Sequence, residues 1–504
     1  MKFLSTNVLL LLLATSSWLV RAQETSPWKA KIMVTPELQK TFNQGGRLLF
    51  HFSKQNQKEP RLGSDFTIGY TAPHWDGSAP FTLDAADKGM MGSVSLPASG
   101  KFYCQVVYKH NLDDAQENAP GNFYSNTDSI TLTSDRTFHL TLGKVLPQPV
   151  IKEQKFVRTI EIRSKFLSDF SSHPRYLRAS VLLPSSYFDH PGQSFPICYR
   201  APGLNGRCSF INIKLEDKEF MDWWYSGKAP QVIYVFLDSR GPYGDTYQVD
   251  SENNGPCGKA LTEELIPSIE KLVHYHPSSK MRYLAGLSTG GWVAMGLQIF
   301  YPDFFDGTWA YSPDPLEFEH FGLINLYQDE TIFYNRFGYL QPGVRTNYGE
   351  PTRAMKDWIQ GENLVSRSGN YLVSGGQFGA YNAVFGPKGN DGLPSLVFDP
   401  LTGKIDHEIA KQWEKYDLKK VLEKNWSTLG PKLQGKIWIW TGDMDDLYSN
   451  VATRFLKMFL EKTENPKSDA IIHFTSMAGH CEEFSDDEVI QMVGKKAAEK
   501  ATAK

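Results

Sequence analysis

A single serine set between two glycines at the end of an apolar strand constrains this chain more than any other feature in it. The run Leu284-Ala285-Gly286-Leu287-Ser288-Thr289-Gly290-Gly291 reads G-x-S-x-G, with an apolar strand from Arg282 before it and a helical stretch from Gly291 to Pro302 after it. A strand that turns sharply into a helix leaves no space for Cβ atoms beside the turn, which is why both flanking positions are glycine. Such a turn lifts one hydroxyl above the edge of a sheet. The pattern occurs once, so Ser288 is the expected nucleophile.

A serine hydroxyl attacks only when an imidazole takes its proton, and the imidazole needs an acid to fix its tautomer. With this elbow the chain order is nucleophile, acid, histidine. The two histidines near the C-terminal end are His473 and His480. His473 lies inside Ile471-Ile-His-Phe474 and reads as a strand residue. His480, in Met477-Ala-Gly-His-Cys481, falls on the loop after that strand and is the expected base. The acid comes from Thr441-Gly-Asp-Met-Asp-Asp446, where Asp445 stands at G-x-x-D spacing from Gly442 and ranks first, with Asp443 and Asp446 as alternatives. Acyl transfer further requires two backbone N–H groups aimed at the oxygen that becomes negative. One is expected from Thr289. The other belongs to the loop Ala201-Pro-Gly-Leu-Asn-Gly206, at Leu204 or, as a near alternative, Gly203.

The rest of the chain divides around this centre. Lys2, the apolar run Val8 to Ala14 and the small-residue site Val20-Arg21-Ala22 predict a cleaved leader over 1–22 and an exported, extracellular or periplasmic protein. The run is much shorter than the roughly 20 residues a spanning helix needs. Over 23–145, runs such as Arg47 to Phe52, Lys101 to Tyr108, Ser129 to Thr133 and Thr137 to Leu142 alternate with turn clusters, which predicts an Ig-like β-sandwich. The prolines of Leu146-Pro-Gln-Pro-Val150 mark a boundary. From 150 to 495 strand-like and helical runs alternate, with eight strands expected near Val157, Leu177, Phe195, Val232, Arg282, Gly307, Lys436 and Ala470. A helix is predicted from Leu261 to Tyr275, capped by Thr262 and kinked at Pro267. An aromatic-rich insert at about 315–435 reads equally as a lid or substrate wall and as a structural thickening.

A formal net charge of −3 over 504 residues offers no field for nucleic acid or an anionic membrane surface. Cys104, Cys198, Cys208, Cys257 and Cys481 make an odd number, so at least one stays unpaired, and Cys104 and Cys198 read as buried thiols in apolar strands. Neither CxxC nor HExxH is present. No metal or cofactor is expected.

Glycine loop, elbow, acid and histidine follow the third, fifth, seventh and eighth strand candidates, which brings all four to one edge of a parallel sheet. Together with Arg178-Ala-Ser-Val-Leu-Leu-Pro184, Asn254-Gly-Pro256, Ser312-Pro-Asp-Pro315 and Gly479-His480, these segments resemble the putative-esterase family, the esterase D or enterochelin-esterase-like group of the α/β hydrolases, over most of 150–490. The resemblance implies an α/β-hydrolase fold, an eight-stranded and mostly parallel sheet with helices on both faces. It also implies a carboxylic-ester hydrolase, exported if the leader is read as above, acting through an acyl-enzyme on Ser288 with a small-molecule or carbohydrate-linked ester as substrate. Members include feruloyl, acetylxylan and siderophore esterases, S-formylglutathione hydrolases and mycolyltransferases, so an acyltransferase with the same triad is an alternative. A non-catalytic glycan- or cell-wall-binding protein is a third reading, against which Ser288 and His480 both speak. The long insert and Cys481 depart from the family pattern.

Overall fold

The computed structural model describes residues 28–502 apart from 57–58, 85–86, 88, 93–98, 134–136, 191 and 275–280. The expected leader lies outside the described residues.

Eight strands form the central sheet. Along it they run Val157–Ser164, Arg175–Leu182, Ile233–Leu237, Ile197–Ala201, Arg282–Leu287, Thr308–Tyr311, Ile437–Gly442 and Ile471–Thr475. The first two pairings are antiparallel and the remaining five parallel. Because side chains alternate between faces, each central strand feeds two cores. Tyr199, Leu284, Ala310 and Ile439 pack on one face, with the helix Thr289–Phe300, while Cys198, Tyr283, Trp309 and Trp438 pack on the other, with Lys218–Tyr225 and Asp486–Thr502. Strands covered on both faces read as unbroken apolar runs, which is how Ile-Tyr-Val-Phe-Leu at 233–237 is written.

Thr289–Phe300 is apolar nearly all round and almost wholly buried. The insert explains this, since its Phe318, Phe385 and Trp413 join the same core and Phe385 lies 5.1 Å from Trp292, ring centre to ring centre. The insert is thus packed into the α/β unit along much of its length, while Phe337, Tyr339 and Tyr348 stay exposed.

The helix predicted over Leu261 to Tyr275 is different in detail. It begins earlier, as Cys257–Ala260, widens into a π turn at Leu261–Leu265 and closes as Ile266–Leu272. Pro267 cannot donate to the preceding turn, and a wider turn there removes the need. Thr262 is therefore inside the helical run and does not cap it; its hydroxyl donates to Gly258 O at 2.9 Å.

Among the described residues of the N-terminal unit, nine strands join in one hydrogen-bonded network around a core of their own. The long strand Gly100–Lys109 links it, pairing with Asp128–Leu132 by its start and with Phe123–Ser125 by its end. A short helix, Pro36–Gln39, interrupts the strands where none was expected. Two buried cations fasten this unit to the insert. Arg47 Nε donates to Leu364 O at 2.7 Å, and Lys109 Nζ donates to Ser374 O at 2.6 Å and Val365 O at 2.9 Å. All five cysteines are free, and Cys104, Cys198, Cys208 and Cys257 are buried. Among the described residues no helix is long and apolar enough to cross a membrane.

Candidate active site

Ser288 sits between the end of Arg282–Leu287 and the first residue of Thr289–Phe300, with φ 56° and ψ −125°. That left-handed conformation is costly for a residue with a Cβ, by about 1–3 kcal/mol. The glycines beside it have no alternative: a Cβ on Gly286 would come within 2.1 Å of Gly290 O, and one on Gly290 within 2.4 Å of Ala201 O and 2.6 Å of Pro202 O. The close approach at Gly290 also sets the Ala201–Gly206 loop directly against the elbow, and Gly203 in that loop lies over Leu287 O. Leu204 is half-buried in a tight turn closed by Gly206 N donating to Gly203 O at 2.9 Å. Thr289 opens the helix with its amide facing away from the intrahelical ladder.

The acid and histidine loops meet across the far end of the sheet. Strands Ile437–Gly442 and Ile471–Thr475 pair in register up to Gly442 opposite Thr475, and beyond this point Gly442 lies so close to Ala478 O that a Cβ would come within 2.2 Å. Asp445 is fully buried. Its Oδ2 accepts from His480 Nδ1 at 2.7 Å, while its Oδ1 accepts from the amides of Leu447 at 2.9 Å and Ser449 at 3.2 Å. The other aspartates face elsewhere: Asp443 pairs with Arg454, and Asp446 Oδ1 accepts from the backbone amide of His480 at 2.6 Å. His473 lies on its strand with an exposed side chain. Burial alone would disfavour a proton on His480, but the Asp445 carboxylate outweighs it, with a smaller contribution from Cys481, and holds the imidazole well above its ordinary value. His480 Nε2 is buried and has no hydrogen-bond partner among the described residues.

One segment touches both the serine and the histidine loop. Ser288 N donates to Tyr311 O at 2.9 Å and Asp314 N to Ser288 O at 3.2 Å, while Cys481 N donates to Ser312 Oγ at 3.0 Å. The triad candidates are therefore carried on neighbouring backbone.

Sequence reasoning missed a buried polar cluster behind the elbow. Asp314 Oδ2 accepts from Thr289 Oγ1 at 2.8 Å, from Tyr247 OH at 2.5 Å and from Gln377 Nε2 at 3.0 Å. Burial pushes the Asp314 carboxyl up, against the pull of those bonds and of the nearby His480 charge. The run Ser312-Pro-Asp-Pro315 carried part of the family resemblance but gave Asp314 no role, and Tyr247 and Gln377 reach it from far along the chain and left no local signal. Arg345 and Asn347 of the insert were also unsignalled; they bond Asp445 O at 3.0 Å and Glu482 Oε1 at 3.1 Å.

The chain is similar to solved structures of a ferulic acid esterase (15% identity, TM-score 0.43, covering 68% of this chain and 97% of that one). It is likewise similar to an S-formylglutathione hydrolase from Agrobacterium tumefaciens (12%, TM-score 0.39, 68% and 98%). A third similarity is to FphF, a fluorophosphonate-binding serine hydrolase of Staphylococcus aureus (12%, TM-score 0.38, 68% and 98%). A search of curated proteins finds no match. The family model described as Putative esterase matches residues 171–490, which span the Ala201–Gly206 loop, the elbow and both loops of the Asp445–His480 pair. The chain belongs to the Putative esterase family, a match that supports a hydrolase acting on esters.

Proposed function

We propose that this protein is an exported serine esterase that cleaves a carboxylic ester through an acyl-enzyme on Ser288, its catalytic unit preceded by a β-sandwich. The observation that carries the reading is the buried Asp445–His480 pair, which leaves one imidazole nitrogen, Nε2, without a partner and on backbone adjoining the elbow.

In this reading Asp445 accepts the Nδ1 proton, so Nε2 presents its lone pair to the Ser288 hydroxyl. Ser288 Oγ bonds to the ester carbonyl carbon as its proton passes to Nε2. The carbonyl oxygen, now negative, is met by the amides of Thr289 and Leu204. When the tetrahedral adduct collapses, the C–O bond to the alcohol breaks and His480 returns the proton to the leaving oxygen. Water then repeats the sequence on the acyl-enzyme, with His480 as base, releasing the acid and the free serine. The raised proton affinity of His480 suits a group that must hold a proton between the two half-steps.

Hydrolysis of p-nitrophenyl acetate and of a feruloyl ester tests the reading. The wild-type protein is expected to release product and Ser288→Ala to release none while keeping its circular dichroism spectrum. Equal rates from the two proteins would overturn the assignment.

A further inference from the structure

We infer that the N-terminal unit supplies a positioning residue to the active site: Asp114, acting through Arg240, holds the turn that aims the Leu204 amide at the reacting oxygen. The inference rests on the esterase reading above.

The turn Gly203–Gly206 has Asn205 at φ 66°, a left-handed conformation that local bonding must hold in place. Its anchor is the Asn205 carbonyl, which accepts a bond from Arg240 Nη2. Arg240 is almost fully buried at 6% side-chain exposure, so its charge needs a counter-ion, and its Nη1 lies 3.5 Å from Asp114 Oδ1. The other oxygen of the same carboxylate takes Arg207 Nη2, from the residue that directly follows Gly206. One carboxylate therefore gathers the two guanidiniums that bracket the turn, one bonded to its third residue and the other at its exit. Two buried like charges this close repel, and Asp114 is the acid that joins them.

Asp114 is itself held firmly. Its amide donates to Asn111 Oδ1 at 3.0 Å and its Oδ1 accepts from Gln116 N at 3.0 Å. The next residue docks on the same place, with Ala115 N donating to Gly241 O at 3.1 Å, beside Arg240. Removing the charge at 114 takes from Arg240 the largest of its acidic partners, leaving Asp238 and Asp245, and takes from Arg207 the carboxylate it shares with Arg240; the bond to the Asn205 carbonyl then loosens and the Leu204 amide drifts. That loss falls on the tetrahedral oxyanion and leaves the bound ester untouched, so it lowers kcat and spares KM. A displacement of about 1 Å in such a group lowers the rate by about 10²-fold.

The test is Asp114→Asn in the full chain, measured for kcat and KM on p-nitrophenyl acetate and for inhibition by an alkyl trifluoromethyl ketone, whose adduct with Ser288 carries the same negative oxygen. Expected are a fall in kcat of about 10- to 100-fold, a KM near wild type, and a rise in Ki matching the fall in kcat/KM. Arg240→Lys, which keeps the charge but cannot bond two partners in a fork, is expected to behave alike and carries the test if Asp114→Asn does not fold. A folded variant with unchanged kcat and Ki, or with a changed KM and an unchanged Ki, overturns the inference while wild-type activity stands. A wild-type protein that takes neither ester nor ketone overturns the esterase reading, and the inference with it.

Discussion

Replacing Asp445 by asparagine isolates the geometry on which the chemistry depends. The side chain has no freedom to choose its orientation, because Oδ1 accepts from the amides of Leu447 and Ser449 and Oδ2 from His480 Nδ1. In Asp445→Asn the carbonyl oxygen must stay with the two amides, since an NH2 group there would face two donors and leave them unpaired in a buried site. The NH2 group then points at His480 Nδ1, which can meet it only as an acceptor. The single proton of the neutral imidazole moves to Nε2, the nitrogen that has to receive the Ser288 proton. The wrong tautomer and the lost counter-charge together are worth about 10⁴ in kcat, or about 5.4 kcal/mol of barrier. Initial rates on p-nitrophenyl acetate over a range of pH, with circular dichroism as the check on folding, measure the effect. A folded Asp445→Asn within tenfold of wild type would refute the reasoning, and so would a larger loss from Asp446→Asn.

Four further outcomes follow from the same contacts. The base works only when unprotonated, so kcat/KM rises with pH through the His480 midpoint; that midpoint is expected above the ordinary histidine value of 6.5 in wild type, because Asp445 favours the charged form, and lower in whatever activity Asp445→Asn retains. Ser288→Gly abolishes turnover yet stabilises the fold by about 1 kcal/mol, the relief of left-handed strain less the entropy of glycine, read as a higher urea midpoint. In Gly290→Ala the new methyl meets the Ala201 and Pro202 carbonyls, which are backbone and yield little, so stability falls by about 1–3 kcal/mol, read as a lower urea midpoint, and the rate drops as the glycine loop is pushed outward. Asp443→Asn breaks an exposed pair with Arg454 and is expected to change stability by about 0–1 kcal/mol and the rate hardly at all, in contrast to its neighbour two residues on.

The central sheet was legible because its inner strands are covered on both faces and so are written as short apolar runs between turns, while the edge strands Val157–Ser164 and Ile471–Thr475 carry β-rich alternation. Val157, Arg282 and Ile437 open strands at or beside the expected positions. The elbow was legible for a steric reason, glycine being the only residue that fits on both sides of Ser288. The proposed acid was less so. Three aspartates in one loop differ only in where the backbone points them, and G-x-x-D spacing ranked Asp445 first without showing that Leu447 and Ser449 would hold it. Contacts over long sequence distances were invisible: Tyr247 and Gln377 meet at Asp314, and Asp114 meets Arg207 and Arg240, without any local pattern. The helix near Pro267 misled for the opposite reason, since Thr262 is a good capping residue by type and the π turn that places it mid-helix depends on the packing around it.

The most direct measurement of the central claim is stoichiometric labelling with a fluorophosphonate, followed by intact mass and peptide mapping. One adduct per chain is expected, on the peptide holding Ser288, formed slowly in His480→Ala and absent in Ser288→Ala. A label on any other residue, or full ester hydrolysis by a protein that takes up no label, would contradict the account.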